Sequence, residues 1–242
     1  MNPSVVMHAY TPAMPSTVTD IDPAWLQPTW FLNSDHPDVV EFADKAREGA
    51  GAGGKGERET AVALFLAVRD GIRYDPYATA GDREAYRASA IARSTASWCV
   101  PKSVLLVAAA RACGVPARLG FADVRNHLTS EKLSARMGTD TFFWHGYAEL
   151  LLHGRWLKVS SAFNIEMCER FGVRVLEFDG TDHALMHPYD QAGNRHMEYV
   201  RERGSFDDLP LEEILTTFAE VYPESALAGG DGAAAAGDDA FA

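Results

Sequence analysis

TASWCVPKSVLLVAAARACGVPARLG (residues 95–120) reads as one long buried helix with a cysteine at its start. Pro101 lacks an N–H and fits only the first turn, so the helix begins close to Cys99. Every residue from Val104 to Ala110 is apolar, the pattern of a helix covered on all sides. Gly114 suits the C-terminal cap and Pro116 prevents the helix from resuming, which predicts a helix over residues 100–113. Cys99 then meets the positive end of the helix dipole and its unpaired N–H groups, which lower a thiol's pKa. Cys113 meets the opposite field at the far end. A small buried hydrophobe is the plainer role for an isolated cysteine. A nucleophile needs a base as well.

Short strand-like pieces follow: ARLGFADV (117–124), TFFWHGYAELLL (141–152) and RWLKVSSAF (155–163). His153-Gly154 is a hairpin-sized link between the last two. His145 is an unusual residue for such a strand, and alternation places it on one face with Phe143, Tyr147 and Glu149. If His153-Gly154 is a two-residue turn, Leu152 pairs with Arg155 and Ala162 falls opposite His145. Ser160 and Asn164 then lie diagonally adjacent on the His145 face, and Ser161 does not. One residue of slip would reverse that parity.

Upstream, HPDVVEFADKAREGA reads as a helix, with Asp35 as its cap and Pro37 in its first turn. A second helix covers ETAVALFLAVRDG and ends near Gly71, before an extended piece at Ile72–Tyr74. Between them, Gly49 to Lys55 imitates the start of a phosphate-binding loop. Gly56 stands where a Ser or Thr should bind magnesium, and a helix precedes the loop rather than a strand, so it reads as a flexible connector. Residues 81–97 read as a loop or short helix. Helices first and antiparallel strands after them make an α+β arrangement.

Residues 1–37 read as an extended lead-in. Residues 38–224 form one domain, with an extension of short helices and loops from about residue 165. Residues 225–242 are acidic and of low complexity, and read as a disordered tail. The chain has 242 residues, 47% hydrophobic and 23% charged, with a net charge of −12. That charge argues against nucleic acid or an anionic membrane as partner. Three cysteines make a poor disulfide framework. No secretion signal or membrane-length apolar run stands out, so the expected location is the cytoplasm. Among eight histidines, His183, His187 and His196 lie near Asp182 and Asp190 in DHALMHPYDQAGNRH. They lack the spacing of a zinc motif and read as solvated loop residues. No metal or cofactor is expected.

The segments WCVPKSVLLVAAARACGVPARLG and WHGYAELLLHGRWLKVSSAFN resemble the transglutaminase-like superfamily, papain-type cysteine enzymes. FLAVRDGIRYDP is similar to the helix and tyrosine-bearing segment before the cysteine in bacterial members, and ACGVPARLG to the turn after the cysteine helix. The resemblance spans about Ala61 to Asn164. It implies a papain-like core in which the helix bearing a nucleophilic Cys99 packs on a small antiparallel sheet bearing His145, the general base. The neighbourhood of Trp98 would supply oxyanion contacts. The family's Asp usually falls four residues after the Trp of the second strand. Four after Trp156 is Ser160, whose hydroxyl can orient an imidazole but cannot neutralise an imidazolium. Asn164, Asp179 or Asp182 are the other possible third members. The implied activity is cleavage or transfer of an acyl group from a peptide, protein or small amide through a Cys99 acyl-enzyme. A non-catalytic binding domain that has lost the triad carboxylate is the alternative.

Overall fold

A computed structural model describes residues 18–51, 53, 55–78, 82–129 and 131–223. The expected tail at 225–242 and the first part of the lead-in lie outside these residues. Helices α1 (Pro37–Gly49) and α2 (Glu57–Gly71) come first, then strand β1 (Arg73–Tyr74), helix α3 (Ala88–Ile91) and strand β2 (Ala96–Ser97). Next come α4 (Cys99–Ala112), β3 (Ala117–Asn126), α5 (Glu131–Met137), β4 (Thr141–Leu152) and β5 (Arg155–Val159). The chain continues through α6 (Ile165–Phe171), β6 (Met197–Phe206) and α7 (Leu211–Val221). Sheet order is β5-β4-β3-β6, antiparallel throughout, beside a small parallel pair β1-β2. The α+β expectation holds.

The centre of the fold is α4. Residues Cys99 to Arg111 are all buried, because α1, α2 and α3 cover one side and β3 and β4 the other. Its two long cations are tied down by carbonyls. Lys102, 0% exposed, donates through Nζ to the carbonyls of Arg69 (2.9 Å) and Ile72, closing the C-terminal end of α2. Burial pushes its pKa down to about 7. Arg111 donates to the carbonyls of Ala117, Gln27 and Asp207, fastening three separate segments to the end of α4. Gly114 takes φ +76° just past the helix, a conformation that favours glycine.

Two close approaches depend on missing side chains. A Cβ on Gly120 would stand 2.1 Å from Cε2 of Tyr147, so β3 can be crossed by that ring only where no side chain exists. A Cβ on Gly146 would stand 3.0 Å from the Cα of Val100. There β4 rests directly on the first turn of α4.

The hairpin register is the expected one: Leu152 pairs with Arg155 across His153-Gly154, and the ladder runs to Ala148↔Val159. It stops there. Ser160 turns its N–H away from β4 to the carbonyl of Ala184 (2.8 Å), so the expected pairing of Ala162 with His145 does not form. The region after residue 165 departs more from expectation. It supplies β6, a ten-residue strand on the far edge beside β3, where short helices and loops were expected. It also supplies Ala184, bridged to Val159 at the opposite edge, and α7, which returns to the start of α4. The cap of α1 is His36 rather than Asp35: its Nδ1 accepts from the N–H of Asp38.

Candidate active site

Cys99 opens α4 and is 7% exposed. Burial pushes its thiol up to about 11, against the backbone amides of Gly146, Val100 and Cys99 itself and the Lys102 ammonium, which pull it down. The helix-start effect expected from the sequence is therefore present and outweighed. Removing water from a small anion costs more than a few partial charges return. Ser103 Oγ donates to the Cys99 carbonyl (2.9 Å), one turn along. Trp98 caps the helix with its backbone only. Its indole lies between Tyr86 and Phe218, 6.4 and 5.9 Å between ring centroids, with Nε1 buried and unpaired.

His145 arrives on β4 immediately before Gly146, the residue that touches α4. Just upstream the strand is irregular: the β3–β4 register shifts between Ala122 and Val124, and Trp144 has φ +57°. A non-glycine residue there is strained, and such bulges redirect the side chains beside them. Asp123 holds this one. Its Oδ1 accepts from the Trp144 N–H (3.1 Å) and from Arg203 Nε. On the other side Trp144 Nε1 donates to Thr217 of α7 (2.9 Å). His145 is 4% exposed, its Nε2 is buried without a partner, and burial pushes its pKa down to about 4. At neutral pH the resting site therefore holds a neutral thiol and a neutral imidazole.

Among the described residues, no side-chain hydrogen bond joins Cys99, His145, Ser160 and Asn164 to one another. Ser160 is buried with its Oγ unpaired, as is Ser161. Asn164 is committed elsewhere: Oδ1 accepts from the Tyr74 N–H (3.0 Å), and Nδ2 donates to Glu166 (2.6 Å). It ties β1 to the start of α6. Asp179 accepts from Thr181, and Asp182 pairs with Arg155.

Three tyrosines surround the pair: Tyr74, which lies in the tyrosine-bearing segment before the cysteine, and Tyr199 and Tyr222, which the sequence did not single out. Burial first and the Cys99 thiol second raise the pKa of Tyr74. The Tyr222 hydroxyl accepts from the Phe143 N–H (2.8 Å) and donates to the Thr141 carbonyl, which places the end of α7 over the start of β4. Tyr199 of β6 meets the His145 ring edge-on, 6.3 Å between centroids. Tyr199 and Tyr222 share only an aromatic ring with a polar tip, too general a feature to single them out in the sequence.

The C-terminal histidines differ from expectation. His196 is 0% exposed, stacked on Phe163 at 6.1 Å, with both ring nitrogens unpaired. His183 Nδ1 accepts from the Lys158 N–H (2.9 Å), helping to seat the Ala184 bridge. His196 is thus a packed residue rather than a solvated one, and His183 and His187 are half-buried. Among the described residues no group of three or more His, Cys, Asp or Glu side chains is placed to hold a metal ion. No helix among them is long and apolar enough to cross a membrane.

The model of the transglutaminase-like superfamily matches residues 41–161, half of the chain. The chain belongs to this superfamily. The matched span contains Trp98, Cys99, His145 and Ser160, and ends before Asn164. Among solved structures, a candidate cysteine protease from Cytophaga hutchinsonii is similar at 17% identity and a TM-score of 0.44. The similarity covers 84% of this chain and 52% of that one, so the chain spans about half of that protein's length. Comparison with curated proteins finds no match.

Proposed function

We propose that this transglutaminase-like chain is a cysteine enzyme that cleaves or transfers the acyl group of an amide, with Cys99 as nucleophile and His145 as base. One observation carries the reading: Cys99 opens α4 at the point where Gly146, the residue next to His145, rests on the backbone of Val100, so the amides of the first turn and of Gly146 lie near enough to pull the thiol pKa down. Amides so placed serve a developing negative charge better than a resting thiol.

Both groups start neutral, so the proton moves during attack. The sulfur forms its bond to the carbonyl carbon while the thiol proton passes to His145. The tetrahedral oxyanion collapses, the C–N bond breaks, and the imidazolium returns the proton to the departing amine. Water or a second amine then attacks the thioester, with His145 taking and returning a proton again. A peptide, protein or small amide is the proposed acyl donor.

The buried thiol, and the absence among the described residues of a carboxylate hydrogen-bonded to His145, favour a second reading, a binding domain without turnover. p-Nitrophenyl acetate, a minimal acyl donor, separates the two when followed by intact mass and peptide mapping. The enzyme reading expects acetylation of Cys99 well ahead of Cys113 and Cys168, slowed about 100-fold in His145→Ala. Acetylation of all three cysteines at one slow rate would leave the binding-domain reading.

A further inference from the structure

A base must be held in one orientation and one tautomer to take a proton from a defined direction. Among the described residues no side-chain hydrogen bond does this for His145: Asn164 is occupied by Tyr74 and Glu166, and Ser160 Oγ is unpaired. What touches the imidazole is a ring. His145 pairs with Ala122 of β3, and Tyr199 pairs with Val124 of the same strand, so the two side chains come from strands on either side of β3. Ala122 is too small to fill the space at its pair, and the rings meet there edge to face, with an interplanar angle of 76°. Tyr199 is placed by its strand pairing with Val124, and its hydroxyl adds one long contact. Its hydroxyl accepts from the Met186 N–H (3.4 Å), just beyond the Ala184 bridge that receives the Ser160 N–H.

We propose that Tyr199 is the positioning residue of His145, restraining the imidazole by ring contact where other triads use a hydrogen-bonded third member. The proposal rests on His145 acting as the base. An aromatic edge limits rotation about the His145 ring bond without adding charge, and burial alone sets the low pKa of the imidazole. That restraint suits a base that is neutral at rest. It also assigns a role to β6, which brings Tyr199 from the far side of β3.

The test compares Tyr199→Phe, which keeps the ring, with Tyr199→Leu, which keeps apolar volume on a strand but loses the flat edge. Two readings are taken: the rate of Cys99 acetylation by p-nitrophenyl acetate, and the His145 tautomer by nitrogen NMR of histidine-labelled protein. Tyr199→Phe should stay within about twofold of the parent, whereas Tyr199→Leu should slow acetylation about tenfold and mix the tautomers. A Tyr199→Leu protein with parental rate and tautomer would overturn the proposal. So would a Tyr199→Phe protein as impaired as Tyr199→Leu, because the hydroxyl would then be the active part. If His145→Ala leaves acetylation unchanged, the base reading fails, while the tautomer measurement still decides whether Tyr199 orients the ring.

Discussion

Gly146 and Val100 touch with no side chain between them: a Cβ on the glycine would stand 3.0 Å from the valine Cα and 3.2 Å from its Cγ2. The neighbour is backbone at the buried start of a central helix, so it cannot yield as a flexible side chain would. Gly146→Ala must push β4 away from α4, and with it the amide that faces Cys99. The expected cost is about 1–3 kcal/mol, typical of overpacking, read from urea unfolding. Cys99 acetylation should fall by more than about tenfold, since small displacements of reacting groups are expensive. Parental acetylation in Gly146→Ala would show that the amide is not needed.

The thiol is expected to ionise late. With Cys99 at about 11 and His145 at about 4, neither is charged over the range between them. The ultraviolet thiolate difference between the parent and Cys99→Ala should therefore be absent at neutral pH and emerge only toward pH 11. Iodoacetamide labelling of Cys99 should rise over the same range. A thiolate signal below pH 7 would indicate a preformed ion pair and contradict the neutral resting state.

Local pattern was enough to read α4, β4 and the hairpin, because Pro101, Gly114, the apolar run and His153-Gly154 each carry a backbone consequence. Strand β6 was not legible. Its sequence, MEYVRERGSF, is mostly exposed at the sheet edge, so no apolar alternation marks it, and its pairing with β3 shifts register twice. The Cys99 position was legible, but the level of its thiol was not, since helix placement is local and burial depends on every layer around α4. The surroundings of His145 were hidden for the same reason. Tyr199, Tyr222 and the Ala184 bridge come from distant segments that only the assembled sheet brings together.

Stability should fall in mild acid. His145 and His196 both drop from an ordinary 6.5 to about 4, burial being the main cause in each. For His196, Asp190 opposes that shift, while His187 and His127 add to it. A depressed folded pKa gives stability that is complete above the unfolded value and is lost as pH falls through the folded one. Between pH 6.5 and 4 the unfolded chain takes up these protons and the folded chain does not. Urea midpoints should decline across that window. In His196→Phe, where a ring can still stack on Phe163, the decline should weaken by about one proton. An unchanged slope in His196→Phe would mean that His196 is already solvated in the native state.

Asp123 has two partners with separable effects. Its carboxylate holds the strained Trp144 N–H next to His145 and neutralises Arg203, whose side chain is 13% exposed. Asp123→Ala abandons both, so about 3 kcal/mol should be lost, in the range for breaking a buried charge pair. Arg203→Met removes the cation together with its charge over the Trp144 ring, 4.6 Å away, and leaves the carboxylate on the Trp144 N–H that fixes the bulge. Both single variants should therefore lose stability, and their double variant should lose less than the sum. Acetylation of Cys99 should separate them: slow in Asp123→Ala, where Trp144 can relax and swing His145, and near parental in Arg203→Met. Equal slowing in the two would assign the effect to the ion pair rather than to the bulge it stands beside.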